Sequence, residues 1–437
     1  MKKIILLIMF FSFSLFAQSN NFTLEQSIEV GLKNSKNLKI SQSKVIGANA
    51  KIKEVGSLAL PKVSLNASYT RLSEVDPFQV VVPFSPIPIK IQESVLNNYN
   101  LGITVQQPLF TGLKLFSSWK AAKYNSKAQE AEYTNDINEE ALKIQTAFWN
   151  FYKTQKVLIL ITENLSALEQ HLKDTKNFLD NGLVTKNDYL KLEVQYSILN
   201  LKMIDAENNV NLARVGFNRA IGIDLSEKTQ ITAYENETSI VNYKYENLLN
   251  EALENREELK SINYRIKAGE KNVTAANAGW FPSLYLFGHF YYNKPNQRAL
   301  PLKDEFNNTW DVGVSLSWDL WDWGNTSAKA AQAEQQLIQT QTSLQQLKEA
   351  IETEVYNNYL KFINENRKVE VSKLAVTSAD ENYRITKEKY SQQLSTSTDL
   401  IDAEFDLLNA QTQLTNSLVD LQLAKVGLEK SVGRKIY

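Results

Sequence analysis

The chain of 437 residues carries 48 basic and 49 acidic side chains, a net charge of −1, so its bulk electrostatics favour neither nucleic acid nor an anionic membrane surface. Cysteine is absent, which excludes disulfides, thiolate chemistry and a lipid-modified N-terminal cysteine. Past residue 17 no apolar run approaches the ~18 residues that a spanning helix needs. Val157–Ile161 comes nearest, and Thr162-Glu163-Asn164 ends it, so only strands are expected to cross a bilayer.

In chain order, residues 1–17 read as a secretory signal, with Lys2 and Lys3 as the basic start, Ile4–Phe16 as the apolar core and Ala17-Gln18 as the cut. Residues 18–222 form a first structural repeat. Its helical start leads to a strand at about 61–71, where Val63, Leu65, Ala67 and Tyr69 alternate with Ser64, Asn66, Ser68 and Thr70. Arg71–Asn98, with Pro77, Pro83, Pro86 and Pro88, reads as an exposed loop. A second strand follows at about 98–110, where Tyr99, Leu101, Ile103 and Val105 alternate with Asn100, Gly102, Thr104 and Gln106. Such period-two alternation marks a membrane strand, apolar to lipid and polar to lumen. In isolation it fits a soluble β-sandwich equally well.

Leu109–Phe281 contains no proline. Proline in a helix interior costs about 3 kcal/mol or more, so this stretch is free to form long helices. Lys120 to about Asn177 extends on the order of 90 Å if helical. A polar break at about 180–187 makes a hairpin tip. The returning helix sets Tyr189, Tyr196, Met203, Val210 and Phe217 against Leu192, Leu199, Ala206 and Ala213. A seven-residue apolar repeat is a coiled-coil seam. The polar remainder of each helix predicts water on both flanks, as in a wall one helix thick. Residues 223–244 have no long period and read as a belt of short connecting elements; Asn236-Glu237-Thr238 within it matches a glycosylation sequon by chance.

Residues 245–437 repeat the order: helix, strands at about 282–293 and 309–321, a long helix from Ser327 to about Tyr390, a tip at about 391–398 and a returning helix. In that helix Leu400, Leu407, Leu414, Leu421 and Leu428 recur every seventh residue, with small Ala403, Ala410, Ser417 and Ala424 between them. Val312, Val314, Leu316, Trp318 and Leu320 alternate with polar residues and glycine, whereas Leu284–Tyr292 is aromatic on both faces. Five of the seven tryptophans fall between Trp280 and Trp323, as in an interfacial girdle. The duplication is legible residue by residue. Leu24–Thr70 lies ungapped on Tyr245–Tyr291, pairing Asn34 with Asn255 and Pro61 with Pro282. Leu183–Gly222 lies ungapped on Leu394–Gly433, pairing Thr185 with Thr396, Asp188 with Asp399, Glu193 with Glu404 and Gly222 with Gly433. A period of half the chain means pseudo-twofold architecture rather than a solenoid. Four strands cannot close a barrel, since about eight is the practical minimum, so strands must be pooled between copies. Three copies supply twelve.

This pattern resembles the TolC family of outer-membrane efflux proteins over essentially all of the mature chain. Gln107-Pro108-Leu109-Phe110-Thr111-Gly112 resembles the family's second-strand exit, and Ala278-Gly279-Trp280-Phe281-Pro282-Ser283-Leu284 its third-strand entry. Asn181-Gly182-Leu183-Val184-Thr185 resembles the hairpin tip that receives a periplasmic adaptor. The resemblance implies a mainly α fold with a small β part: tandem-duplicated coiled-coil hairpins forming an α-barrel, with four membrane strands per chain in the twelve-stranded barrel of a homotrimer. It implies a passive exit duct for efflux or type I secretion, set in outer-membrane lipid of a Gram-negative bacterium and extending into the periplasm. The implied partners are a periplasmic adaptor and an inner-membrane pump of the RND, ABC or MFS type, with no cofactor.

Carried over by position, Asp188 and Tyr390 match a tip acid and tyrosine that hydrogen-bond between neighbouring coiled coils. Asp399 and Asp402 match an acidic pair ringing the closed entrance. Gly182, Leu183, Val184 and Thr185, with Leu394, Ser395 and Thr396, match the adaptor-docking tips. Two positions depart from the family pattern: Gln393 replaces a tip glycine, and Ser395 replaces an arginine that helps to lock the closed state. Both bear on the lock and on how the second hairpin meets the adaptor. Read from chemistry alone, Asp399 and Asp402 repeated around a narrow pore concentrate negative charge and favour cations. Asp188, Asp399 and Asp402 equally suit solvated helix starts, stabilised by the helix dipole; the two roles are compatible.

The two histidines, His171 and His289, stand far apart with no cysteine near, so no metal site is expected. No phosphate-binding loop, dinucleotide motif or catalytic serine or histidine setting is present, so no catalytic or cofactor site is expected and the chain does not read as an enzyme. The rival readings are a non-transporting surface or periplasmic coiled-coil scaffold, and the periplasmic adaptor itself.

Overall fold

A computed structural model describes residues 21–76, 78–84, 86–92, 95–233, 243–300, 302–392 and 394–437. The expected signal, the Asn236-Glu237-Thr238 sequence and Gln393 lie outside the described residues. The first repeat runs β1 (Asn21–Phe22), α1 (Leu24–Asn34), α2 (Lys36–Ser57), β2 (Lys62–Arg71), β3 (Phe78–Val80), β4 (Ile89–Gln92), β5 (Asn97–Thr111), α3 (Lys114–Asp180) and α4 (Lys186–Ile221). After β6 (Gln230–Ile231), the second repeat runs α5 (Tyr245–Asn255), α6 (Glu257–Ala276), β7 (Ser283–Lys294), β8 (Asn307–Ser317), α7 (Asn325–Ser391) and α8 (Ser397–Ser431). The proline-free stretches give the two longest helices, α3 and α7, of 67 residues each. Among the described residues no helix is long and apolar enough to cross a membrane.

The chain divides into two compact units, and neither is a sequence repeat. One gathers residues up to Ile40, Thr134–Arg256 and Glu349–Tyr437; the other gathers Ser41–Tyr133 and Glu257–Lys348. Each collects the corresponding elements from both halves.

The second of these units holds an antiparallel sheet in the order β2-β5-β7-β8. Its register opposes Leu65 to Ile103, Thr104 to His289 and His289 to Asp311. One face carries Leu65, Leu101, Ile103, Val105, Phe290, Val312 and Val314, all exposed, and the other carries the polar members of each alternation. The aromatic-rich segment is central: β7 pairs on both sides, while among the described residues β2 and β8 each keep one free edge. Two sequence expectations need correction here. β8 ends at Ser317, short of the expected 321, because β7 starts at Ser283, paired with Ser317, and offers Trp318 no partner backbone beyond Pro282. The Arg71–Asn98 connection is not a plain loop, since β3 and β4 pair within it as a small hairpin.

The other unit is built on α3, α4 and α8. Ile144, Phe148, Trp149, Phe151 and Tyr152 of α3 bury against Phe217 and Ile221 of α4 and Val419 of α8, with Phe22, Leu24 and Ile28 packed alongside. β1 and β6 pair in parallel over two residues and strap this cluster. A second cluster joins Ile161 and Leu168 to Leu192, Leu199 and Ala206, and to Ile401 and Leu408. Of the expected seam, Leu400, Ala403, Leu407, Ser417, Leu421, Ala424 and Leu428 are buried, and Ala410 and Leu414 are half-buried. The expectation of two wet flanks fails for α8, where Ile401, Leu408, Val419 and Val426 are buried as well. These residues meet the first hairpin, so α8 uses a wider apolar stripe than a single seam. α4 differs. It leaves Leu190, Val194, Leu201, Ile204 and Leu212 exposed.

The duplication persists at the level of single contacts. Gly222 and Gly433 follow α4 and α8 with φ of +72° and +82°, a left-handed geometry that favours glycine. A Cβ on Gly222 would lie 2.7 Å from Cβ of Asn34, and one on Gly433 would lie 3.2 Å from Cβ of Asn255. Asn34 also donates from Nδ2 to the carbonyl of Ile221 at 3.1 Å. The residues paired by the repeat thus meet the same neighbours. Gly222→Ala and Gly433→Ala are each expected to cost at least about 1–2 kcal/mol, from backbone strain alone, read as a lower thermal midpoint by circular dichroism. Gly216→Ala is the control: its Cβ meets nothing within 4 Å, and in a helix interior it gains up to about 1 kcal/mol.

Candidate functional site

Both hairpin tips are built from the same local chemistry. α3 closes with Gly182 N donating to Leu179 O at 2.9 Å and Leu183 N to Phe178 O at 2.8 Å, with Gly182 at φ +73°. This is the Schellman pattern that satisfies the last carbonyls of a helix. α7 closes with the equivalent bond, Leu394 N to Lys389 O at 2.8 Å. Leu183 and Leu394 then stand exposed at the two apices.

Each returning helix begins with a capping box. Thr185 Oγ1 accepts from Asp188 N at 3.2 Å, while Asp188 Oδ2 accepts from Thr185 N at 3.1 Å and Thr185 Oγ1 at 2.7 Å. Thr396 and Asp399 repeat this, with Oδ2 accepting from Thr396 N at 2.9 Å and Oγ1 at 2.7 Å. Ser395 adds its hydroxyl to Asp399 at 3.1 Å. The Thr185 side chain, then its backbone amide, holds the Asp188 carboxyl below the usual range. The Thr396 backbone amide, then its side chain and that of Ser395, does the same for Asp399. Both aspartates are therefore charged and committed to their own helix starts, where the dipole also favours them.

The remaining expected residues lie on the same unit. Tyr390 Oη lies 3.2 Å from Thr175 Oγ1, so within one chain Asp188 bonds to Thr185 and Tyr390 to Thr175, rather than to each other. Asp402 is exposed one turn into α8 and lines a cleft of about 440 Å³ with Asn187, Leu190, Lys191, Val194 and Ile401. Val184 is half-buried between the exposed Leu183 and Thr185.

Beneath the second tip the structure shows a buried polar layer that the sequence reading missed. His171 Nε2 of α3 and Glu404 Oε2 of α8 lie 3.9 Å apart, and both side chains are largely buried. That separation is too long for a hydrogen bond, and Glu404 Oε2 has no hydrogen-bond partner. Tyr390 sets its ring edge-on to His171, centroids 6.4 Å apart. Burial, with Lys387 opposing, pushes the Glu404 carboxyl up to about 7. Burial first, and then Lys387, lowers His171, with Asp174 opposing. Burial and Glu404 raise Tyr383. Both members of the pair are thus driven towards their neutral forms. The only sequence signal was Glu404 as the repeat partner of Glu193, and Glu193 itself is exposed.

A family model described as outer membrane efflux protein matches residues 28–223 and 248–434. The chain is 24% identical to outer membrane protein TolC of Vibrio cholerae serotype O1 over 339 residues, 76% of either chain. It is 18% identical to the alkaline protease secretion protein AprF of Pseudomonas aeruginosa over 329 residues, 74% of this chain and 67% of that one. Among solved structures, the outer membrane protein VceC of Vibrio cholerae superposes with a TM-score of 0.77 at 18% identity, covering 95% of this chain and 97% of that one. At that identity the likeness speaks for the fold.

The Glu404 layer gives a pH dependence with a definite sign. A carboxyl raised from 4.5 to about 7 in the folded chain contributes stability below about pH 4.5 that is lost as pH rises through 7, at up to about 1.4 kcal/mol per pH unit. His171, lowered from 6.5, works oppositely: its contribution is present above 6.5 and is lost as pH falls through its folded value. Glu404→Gln is expected to remove the decline between pH 4.5 and 7 and to stabilise α8 at pH 8. Hydrogen exchange of the first α8 turns at pH 5, 6, 7 and 8 measures both effects.

Proposed function

The chain belongs to the outer membrane efflux protein family, and from that premise we propose how its residues build an exit duct. It is an outer-membrane component through which substrates delivered by an efflux or type I secretion system leave a Gram-negative cell. The single observation that carries the duct is the four-stranded sheet, with one apolar exposed face and two free edges. Hydrocarbon cannot satisfy the unpaired N–H and C=O groups of β2 and β8, so the sheet is completed by other copies. Three copies in a homotrimer give a closed barrel of twelve strands, with the apolar faces against outer-membrane lipid. The exposed stripe Leu190, Val194, Leu201, Ile204 and Leu212 on α4 is spaced to form a further seam against a neighbouring copy in an α-barrel.

Energy comes from outside the duct. An inner-membrane pump of the RND, ABC or MFS type supplies it, through a periplasmic adaptor that docks at Gly182, Leu183, Val184 and Thr185 and at Leu394, Ser395 and Thr396. The exposure of Leu183 and Leu394, each held on a closed helix terminus, supports that assignment: the two apices offer rigid apolar points to a partner. The gate lies at the same end. Asp399 and Asp402 from each copy ring the entrance, and Asp188 with Tyr390 locks neighbouring hairpins. Because Asp188 also caps α4, the test substitution is Asp188→Asn, which keeps a capping acceptor.

The test is single-channel conductance of the purified oligomer in a planar bilayer. Wild type is expected to give a small, cation-preferring conductance. Asp399→Asn with Asp402→Asn is expected to raise it and weaken the cation preference, as removal of an acidic ring does. Asp188→Asn with Tyr390→Phe is expected to raise it by loosening the lock, and an unchanged value rejects that lock. No channel from intact oligomer rejects the duct and leaves the coiled-coil scaffold standing.

A further inference from the structure

On the polar face of the sheet, Phe287, His289 and Tyr291 stand at alternate positions of β7 and form a ladder. The Phe287 and His289 ring centroids are 5.1 Å apart, and those of His289 and Tyr291 are 5.6 Å apart, with planes 22° from parallel. The neighbouring strands present glycine where the outer two rings lie. A Cβ on Gly313 of β8 would lie 2.7 Å from Phe287 Cζ and 3.3 Å from both Cε atoms. A Cβ on Gly102 of β5 would lie 3.3 Å from Tyr291 Cδ1. Phe287 therefore reaches over Gly313 of β8 and Tyr291 over Gly102 of β5, each at a position where a side chain would collide with the ring.

The surroundings are rich in groups that both donate and accept. The register sets Gly102 between Asn66 and Tyr291, and Asn100 between Ser68 and Asn293. A cavity of about 630 Å³ is lined by Asn66, Asn100, Thr104, Tyr291 and Asn293, among others, within the ~300–1,000 Å³ range of small-ligand sites. Apart from Lys62 at the start of β2, the one formally charged residue on this face is Asp311. Its carboxylate is already occupied by His289 Nδ1 at 2.7 Å and Arg298 Nη2 at 2.9 Å. Lys62 opposes Gln106, which opposes Phe287, so one basic side chain stands in the row of Phe287, while the strand rows through Tyr291 and Asn293 carry no formal charge.

We propose that this ladder, with its flanking asparagines, is a contact site for neutral carbohydrate passing along the barrel wall. A pyranose ring has an apolar C–H face that covers a flat aromatic ring, and a rim of hydroxyls that needs both donors and acceptors. Asparagine amides supply both, and aromatic rings supply large contact area with little loss of side-chain entropy. A planar aromatic cargo would use the rings but not the amide rows, and a cation would use the ring faces but not the amide donors. The inference rests on the duct reading, since this face borders a passage only when the sheets of several copies close.

Saturation-transfer NMR tests it, on the purified channel in nanodiscs or a sugar-free detergent. The probe is maltohexaose, and a polyethylene glycol of matched size is the control. Transfer from protein to the pyranose ring protons is expected, with none to the polyether. Phe287→Ala and Tyr291→Ala are each expected to weaken the apparent affinity roughly two- to tenfold, and Phe290→Ala, on the opposite face, to leave it unchanged. Asn66→Ala with Asn100→Ala probes the amide rows with the ladder intact and is also expected to weaken binding. Equal transfer to the polyether, or sugar transfer indifferent to all of these substitutions, overturns the proposal. Conductance of the same preparation separates the two readings: a conducting channel without sugar transfer removes only the carbohydrate site, whereas a protein that never conducts removes the duct beneath it.

Discussion

Every backbone N–H and C=O placed in hydrocarbon must find a partner within protein, and the four-stranded sheet of this chain meets that condition only in part. β5 and β7 are paired on both sides, whereas β2 and β8 are not. An exposed apolar face and two open edges on one sheet are incompatible with a lone chain in lipid, and equally a liability for a lone chain in water. The proposed closure between copies resolves both. The same proposed closure also accounts for other features: no described helix is apolar enough to cross a membrane, the strands alternate instead of running apolar throughout, and α4 keeps an exposed apolar stripe.

The internal duplication is physical as well as textual. Residues paired by the repeat make matching hydrogen bonds: Thr185 with Asp188 and Thr396 with Asp399. Matching steric contacts place Gly222 on Asn34 and Gly433 on Asn255. The symmetry breaks at particular contacts. Ser395 joins the second capping box, with no counterpart bond at Val184. Glu404 is buried beside His171, whereas its partner Glu193 is exposed. α8 buries a wide stripe against the first hairpin, while α4 keeps an open one. A duplicated chain becomes an asymmetric device when one helix of each matched pair is burdened with polar groups that the other leaves in solvent.

The balance between the two aspartate readings also changes with the structure. Asp188 and Asp399 are helix-capping groups in the single chain, with every named partner local in sequence. A role at an entrance ring is then an added duty of carboxylates already held in their charged form. Such groups keep their charge across the physiological range, which suits a fixed electrostatic collar better than a titrating switch. The titrating group beneath the second tip is Glu404, whose neutral form is favoured by burial rather than by any partner.

Sequence alone determined the order of the long helices and the four sheet strands, the duplication and the strand alternation, because each is a short-range pattern: period two, period seven, proline placement and self-alignment. It also placed both tips, since each returning helix opens on a Thr-x-x-Asp sequence, and the first tip carries Gly182 in the left-handed region. What only the tertiary structure decided depends on which elements meet. Period-seven spacing marks α4 and α8 alike, and packing against the first hairpin alone gives α8 its second buried stripe. His171 and Glu404 are more than two hundred residues apart and become a pair only when α3 and α8 pack. The aromatic positions of β7 were ambiguous in sequence, with rings on both faces. They form a ladder on one face because β5 and β8 place Gly102 and Gly313 beside the rings, and a long-range strand register of that kind cannot be read from local composition.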